Sequence, residues 1–222
     1  MIPFHIPRPQ GCDIQIFYGD STTGGDSRKS WNKPRGVSHV YMMLIGGGGD
    51  GTSTSSGGSG AVTVWYGAAQ HVPDFLSIAA VARVTGQTGA TTFVGYLDSG
   101  VKLLSAEKGS GGNGGPAMVA NFFAASGFFQ SVAGQNGTTT GSPAASATTF
   151  LSAGGSATGS SPVANYGYGT TGVSNGFFIM QPIIVGKGAS PVTNRDSTRA
   201  AYGCGGTATD VGSPGLVLIA SW

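Results

Sequence analysis

The chain has 222 residues, of which 41 are glycine and only 9% are charged, with a formal net charge of +2. That length suits one all-β domain, and with Glu107 as its single glutamate the chain lacks the usual helix formers of helical surfaces. The charge excludes the concentrated basic surface of a nucleic-acid binder, and apolar runs recurring along the whole length exclude simple disorder.

Residues 1–36 are predicted to be an N-terminal arm or attachment segment with one strand. Pro3, Pro7, Pro9 and Pro34 discourage helix and central strand. Ile14–Tyr18 alternates as a strand does, and Gly19–Ser30 is predicted as a polar loop. Arg28, Lys29, Lys33 and Arg35 are the nearest thing to a basic cluster. They read either as a phosphate contact or as a solvated approach to the first core strand.

Residues 37–222 are predicted to be a glycine-rich β-sandwich domain organised around Val37–Val64. An apolar run ends at Ile45, Gly46–Gly49 follows, then a polar tip at 50–59, then a second β-prone run from Gly60 to Tyr66. Short apolar runs bounded by Gly and Ser clusters predict strands. The glycines directly extend the most apolar strand. Gly46, Gly47, Gly48 and Gly49 are therefore predicted to pack closely against other backbone, with 109–115 and 154–155 as candidate neighbours.

Pro73 predicts a turn over His71–Leu76. Leu76–Thr85, Ala90–Val94 and Val101–Ala106 are predicted strands, separated by turns at Gly86–Gly89 and Asp98–Gly100. In Pro116–Ala133, Met118 and Phe122, like Phe128 and Val132, are four residues apart. That spacing predicts a short helix or pair of helical turns, whose phenylalanines serve core packing or an apolar subunit contact. Ala90-Thr-Thr-Phe93 is echoed by Ala147-Thr-Thr-Phe150, which makes Phe93 and Phe150 expected core anchors. Phe177–Val185 is a candidate strand pair broken by Pro182, and Gly215–Trp222 is a closing strand tied into the sheet.

Trp31-Asn-Lys-Pro-Arg-Gly-Val37, followed by Tyr41-Met-Met-Leu-Ile-Gly-Gly-Gly-Gly49, resembles the glycine-rich domain of bacteriophage tail, fibre and virion-surface proteins. The likeness continues through Val81–Gly89, Ala90–Phe93, Leu103–Gly112 and Gly215–Trp222, so it spans most of residues 31–222. The 50–59 tip, the Phe-rich 116–133 segment and the 154–214 loops depart from it. The resemblance implies a structural or host-attachment part of a virion, usually homo-oligomeric.

Few residues suggest reaction chemistry. His5, His39 and His71 are isolated, with no Cys-x-x-Cys or His-x-x-x-His spacing for zinc. There is no nucleophile elbow, and Gly46–Gly51 lacks the Gly-Lys-Ser/Thr ending of a phosphate loop. Glycan cleavage needs two carboxylates that meet in space, and nothing in the sequence pairs them. Asp20 with Asp26, or Asp196 with Asp210, would be calcium ligands without EF-hand spacing. Cys12 and Cys204 are too few for a disulfide framework and are expected as thiols unless the chain ends are neighbours. Asn165, Tyr166, Tyr168 and Asn175 carry aromatic faces and amide groups on one glycine-rich loop, which makes them candidate glycan or receptor contacts.

The expectation is thus an antiparallel, jelly-roll-like β-sandwich with long glycine-rich loops and one short helix near 116–133. No enzymatic activity, cofactor, nucleic-acid partner or membrane insertion is expected. The expected role is an oligomeric exterior spike or fibre component, trimeric for preference, contacting other virion proteins and a host glycan. The alternative is a capsid shell, minor capsid or cement subunit without a receptor role. No signal peptide is apparent, so synthesis in the host cytoplasm and delivery to the virion by assembly are expected.

Overall fold

The computed structural model describes residues 12–19, 27–51, 57–81, 91–96, 100–134, 136, 202–203, 212 and 214–222. The described strands are β1 (Asp13–Tyr18), β2 (Ser27–Asn32), β3 (His39–Ile45), β4 (Val62–Ala68), β5 (Phe75–Ala80), β6 (Thr91–Tyr96), β7 (Lys102–Glu107), β8 (Phe128–Val132) and β9 (Leu216–Ser221). They form an all-β sandwich of two antiparallel sheets. One sheet has the order β1-β9-β3-β4-β8, the other β2-β5-β6-β7.

The strands with the longest apolar runs hold the middle of the larger sheet. β9 pairs with β1 on one side and β3 on the other, and β3 also pairs with β4. Side chains alternate across a strand. Val40, Met42 and Leu44 of β3, with Val217 and Ile219 of β9, therefore face the core between the sheets. Tyr41, Met43 and Ile45, with Leu216, Leu218 and Ala220, join Val62 and Val64 in a second buried cluster on the opposite face. An uninterrupted apolar run is what a strand buried on both faces requires.

The smaller sheet contributes Trp31, Leu76, Ile78, Val94, Leu104 and Ala106 to the core. β6 and β7 shift register between Val94 and Gly95: Val94 opposes Leu104 and Gly95 opposes Lys102. Leu103 is the extra residue of this bulge, so it and Leu104 both reach the core cluster. Thr63 of β4 crosses between the sheets, donating its hydroxyl to the Ser105 carbonyl of β7 at 2.7 Å.

Two expectations are corrected. The polar loop predicted over Gly19–Ser30 ends early, because Ser27–Asn32 is β2, an edge strand of the smaller sheet. Its exposed Arg28, Lys29 and Ser30 disguise it, while Trp31, 1% exposed, is its core contact. Polar, charged residues are what an edge strand carries. The helical reading of 116–133 shrinks to one 3-10 turn at Ala124–Ser126, and Phe128–Val132 is a strand. Gly127 is extended there, and Phe128 and Phe129 find β partners opposite Tyr66 and Trp65.

The segment from Pro116 to Ser126 links the edges of the two sheets. The Ser105 amide donates to Met118 Sδ at 3.2 Å, and the Met118 amide to Ser131 Oγ at 2.8 Å. Asn121 donates to the Leu103 carbonyl and accepts from the Ala124 amide, which ties the start of the 3-10 turn to β7. Its phenylalanines divide: Phe123 lies in the core against Trp65, at 4.8 Å between ring centroids. Phe122 is 95% exposed, with Val119 at 86% and Phe128 at 58%.

Lys33 has a structural role. Its ammonium donates to the Ala69 and Val72 carbonyls at 3.1 and 2.7 Å and pairs with Asp74 at 2.8 Å. It holds the corner at 69–74, where the chain passes from β4 in one sheet to β5 in the other. Phe93 is buried, but Lys102 lies over its ring at 5.6 Å, on the face away from the core cluster. Phe150 and the candidate strand pair at 177–185 lie outside the described residues.

Candidate functional site

At the end of the larger sheet where β3 and β9 meet the glycines, backbone packs directly on backbone. Segment 46–50 leaves β3, segment 57–61 leads into β4, and segment 107–115 leaves β7. The Gly46 amide donates to Ala61 O and the Gly49 amide to Gly58 O, both at 2.8 Å. The Gly58 amide donates to Gly111 O at 2.7 Å, Ala61 N to Glu107 O at 2.9 Å, and Gly115 N to Ser59 O at 2.8 Å. The Gly109 amide donates to Gly47 O at 2.9 Å.

Each of the three segments thus bonds to both of the others. A flat sheet does not allow this, since a strand's two neighbours lie on opposite sides of it. The segments form a triangular bundle, extended by bonds from Gly60 N to Gly203 O and from Gly134 N to Gly115 O, both at 2.8 Å. Side chains are excluded by contact. A Cβ on Gly46 would meet the carbonyl oxygen of Glu107, and one on Gly60 the carbonyl of Gly46.

Of the predicted neighbours of Gly46–Gly49, 109–115 bonds to them and 154–155 lies outside the described residues. Residues 57–59, which the sequence reading places in the polar tip, instead bond to both other segments. Their glycine-rich composition, shared with the other two segments, is the available signal.

One charged pair sits within the bundle. Lys108 Nζ lies 3.9 Å from Asp50 Oδ1, with their side chains 5% and 25% exposed. Asp50 Oδ1 also accepts the Gly212 amide at 3.1 Å. Burial holds the Lys108 ammonium below its usual range, and the nearby Asp50 carboxylate partly opposes that.

At the opposite end of the same sheet, β3 begins with His39 and β9 leads into Trp222. With about 3.3 Å of rise per residue, this end lies roughly 20 Å from Gly46. The sheet places His39, Tyr66 and Trp222 on one face, that of the second buried cluster, against which Tyr66 and Trp222 pack. His39–Tyr66, Tyr66–Trp222 and His39–Trp222 ring centroids are 5.7, 5.9 and 6.1 Å apart, with planes inclined by 14°, 13° and 20°. In a three-ring column the outer rings would stand about twice as far apart as neighbours. Near-equal separations exclude such a column, and rings this close and this nearly parallel stack on one another with a lateral offset.

The backbone fixes this cluster. Ser38 N and His39 N both donate to Trp222 O, at 2.7 and 2.9 Å, and Trp222 N returns a bond to His39 O at 3.1 Å. All three side chains are half-buried. In the sequence His39 is an isolated histidine and Trp222 the end of a closing strand. The pairing of β9 with β3, which brings them together, spans most of the chain and leaves no local mark.

The predicted contact residues Asn165, Tyr166, Tyr168 and Asn175 lie outside the described residues, as do Cys204 and the aspartates Asp20, Asp26, Asp196 and Asp210. Cys12 packs against the second apolar cluster. Among the described residues no three of His, Cys, Asp and Glu gather as metal ligands would, and no helix is long and apolar enough to cross a membrane. Comparison with protein-family models and with curated proteins finds no significant match.

Proposed function

We propose that the chain is a non-enzymatic structural component on the exterior of a bacteriophage virion, a spike or fibre part that takes part in host attachment. The observation that carries this reading is the triangular bundle of segments 46–50, 57–61 and 107–115. Its geometry is set by backbone bonds, so it makes a stiff scaffold. That suits a part that must hold its shape outside the cell. The ordered resemblance from Trp31 through the polyglycine to Trp222 points the same way.

The part works as a homo-oligomer, with a trimer as the expected state. Phe122 and Val119, at 95% and 86% exposure, supply apolar surface for a subunit contact. The purified chain, fluorescently labelled, should stain cells of the phage's host and compete with phage adsorption. Staining and competition both absent, with self-assembly into closed or sheet-like particles, would replace this reading with that of a capsid or cement subunit.

A further inference from the structure

We propose that β1 is a docking edge for a second copy of this chain: the β1 strands of two copies pair antiparallel across a two-fold axis and join their larger sheets. The backbone bonds decide which groups of β1 are open. His39 and Trp222 exchange both bonds of an antiparallel pair. Bonded pairs recur at every second residue, so Tyr41, Met43 and Ile45 of β3 bond to Ala220, Leu218 and Leu216 of β9. The residues between them, Val217, Ile219 and Ser221, bond to Phe17, Gln15 and Asp13 of β1. The bond from Gly19 N to Gly215 O continues that set. Ile14, Ile16 and Tyr18 therefore direct their N–H and C=O groups away from the sheet, and among the described residues these groups meet no partner.

The other sheet edges are guarded. β2 carries the exposed Arg28 and Lys29. β7 is occupied: its Leu103 carbonyl accepts from Asn121, its Ser105 amide donates to Met118 Sδ, and its Glu107 carbonyl accepts from Ala61 N. β8 has the 116–126 segment beside it, joined through Ser131 Oγ. β1 has no Lys, Arg, Pro or bulge, the features that keep edge strands from pairing.

The occupant is a second β1 because the strand is complementary to itself. Open groups must face open groups. The antiparallel register that matches all of them sets Ile16 opposite the partner's Ile16 and Ile14 opposite the partner's Tyr18, and each such pair exchanges two backbone bonds. Ile14 and Ile16 already pack against the second apolar cluster. The partner's strand continues that apolar face through Ile–Ile and Ile–Tyr pairs, which favour cross-strand packing. Asp13, the one charge of β1, falls at opposite ends of the joint, whereas a parallel in-register pair would set two carboxylates side by side. A joint of two six-residue strands is small, so the association is weak in dilute solution. β1 and β8 are opposite edges of the larger sheet, so this contact does not depend on one at Phe122 and Val119.

Sedimentation equilibrium of the parent chain from roughly 10 μM to roughly 1 mM, the range of weak association, should show the mass of its micromolar unit doubling. The Phe122→Ser, Val119→Ser variant should double as well, from monomer to dimer. Ile16→Pro removes an N–H that β9 does not use, so the fold's own ladder is spared. The concentration needed for doubling should rise at least tenfold in that variant, and Tyr18→Pro serves if it does not fold. Hydrogen exchange read by mass spectrometry locates the contact. At the higher concentration peptides spanning 13–18 should gain protection, while those spanning 27–32 on β2 should not. A mass that does not double, doubling unchanged in a folded proline variant, or protection confined to another edge would overturn the proposal. Doubling from a monomeric parent would leave this contact standing and remove the trimer contact at Phe122 and Val119, and a trimer that never doubles would do the reverse.

Discussion

The Gly109 amide donates to the Gly47 carbonyl at 2.9 Å, and this bond closes the triangle of glycine segments. Without it, segments 46–50 and 107–115 would be two separate neighbours of 57–61, as in a sheet. With it, all three backbones approach so closely that no side chain fits between them at several positions. Gly46→Ala would drive a methyl group into the Glu107 carbonyl, which is held by the Ala61 amide. Backbone cannot rotate aside as a side chain can. The expected loss is about 3 kcal/mol or more, at the upper end for overpacking. Gly36→Ala is the control, since its site has φ +80 but open space, and it should cost about 1–2 kcal/mol. Denaturant midpoints for the two variants check this, and an equal or smaller loss at Gly46 would mean that the bundle yields easily.

Much of the sandwich was legible because its central strands are written in local runs. β3, β4, β6, β7 and β9 each combine β-prone residues with a glycine or turn boundary. β2 was not legible, because an edge strand with one core contact, Trp31, looks like a polar loop. β8 was misread because Phe128 and Val132 fit a helical period as well as a strand. Periodicity over five residues cannot separate the two, and only the β4 partner decides. The aromatic cluster was hidden for a different reason. His39 and Trp222 are 183 positions apart in sequence, and the register that joins them is a property of the folded sheet.

Lys33 should matter through its hydrogen bonds more than through its ion pair. Its ammonium serves two carbonyls of the sandwich corner, and its side chain is 18% exposed, whereas that of Asp74 is 75% exposed. Lys33→Met should cost about 1–3 kcal/mol, the range for losing hydrogen bonds to a charged group and leaving acceptors unmet. Asp74→Asn should cost under about 1 kcal/mol, as exposed ion pairs do. Equal losses in urea melts of the two variants would refute this division.

The exposed phenylalanine bears on assembly. If Phe122 and Val119 form a subunit contact, the parent chain sediments as a trimer at micromolar concentration and melts lower on dilution. The Phe122→Ser, Val119→Ser double variant should sediment as a monomer with its far-ultraviolet spectrum unchanged. A monomeric parent whose melting ignores dilution would count against the oligomer. An unchanged trimer in the variant would place the contact elsewhere.

Alkaline pH should expose the burial of Tyr41. Full burial raises the Tyr41 phenol well above its ordinary 10.0, so the folded chain keeps that proton where the unfolded chain loses it. Fewer protons on the unfolded chain mean that stability falls as pH rises past about 10. Tyr202 shifts upward as well, through burial and then the nearby Tyr18, and acts with the same sign. Lys108 acts oppositely: burial lowers it from 10.5, so its contribution to stability rises with pH between its depressed folded value and 10.5. Urea midpoints should therefore climb gently toward pH 10 and then drop. Lys108→Met should flatten the climb, and Tyr41→Phe should blunt the drop. A parent profile that stays level from pH 10 to 11, or a Tyr41→Phe profile that drops as steeply as the parent, would show that the Tyr41 phenol ionises as readily in the folded chain as in the unfolded one.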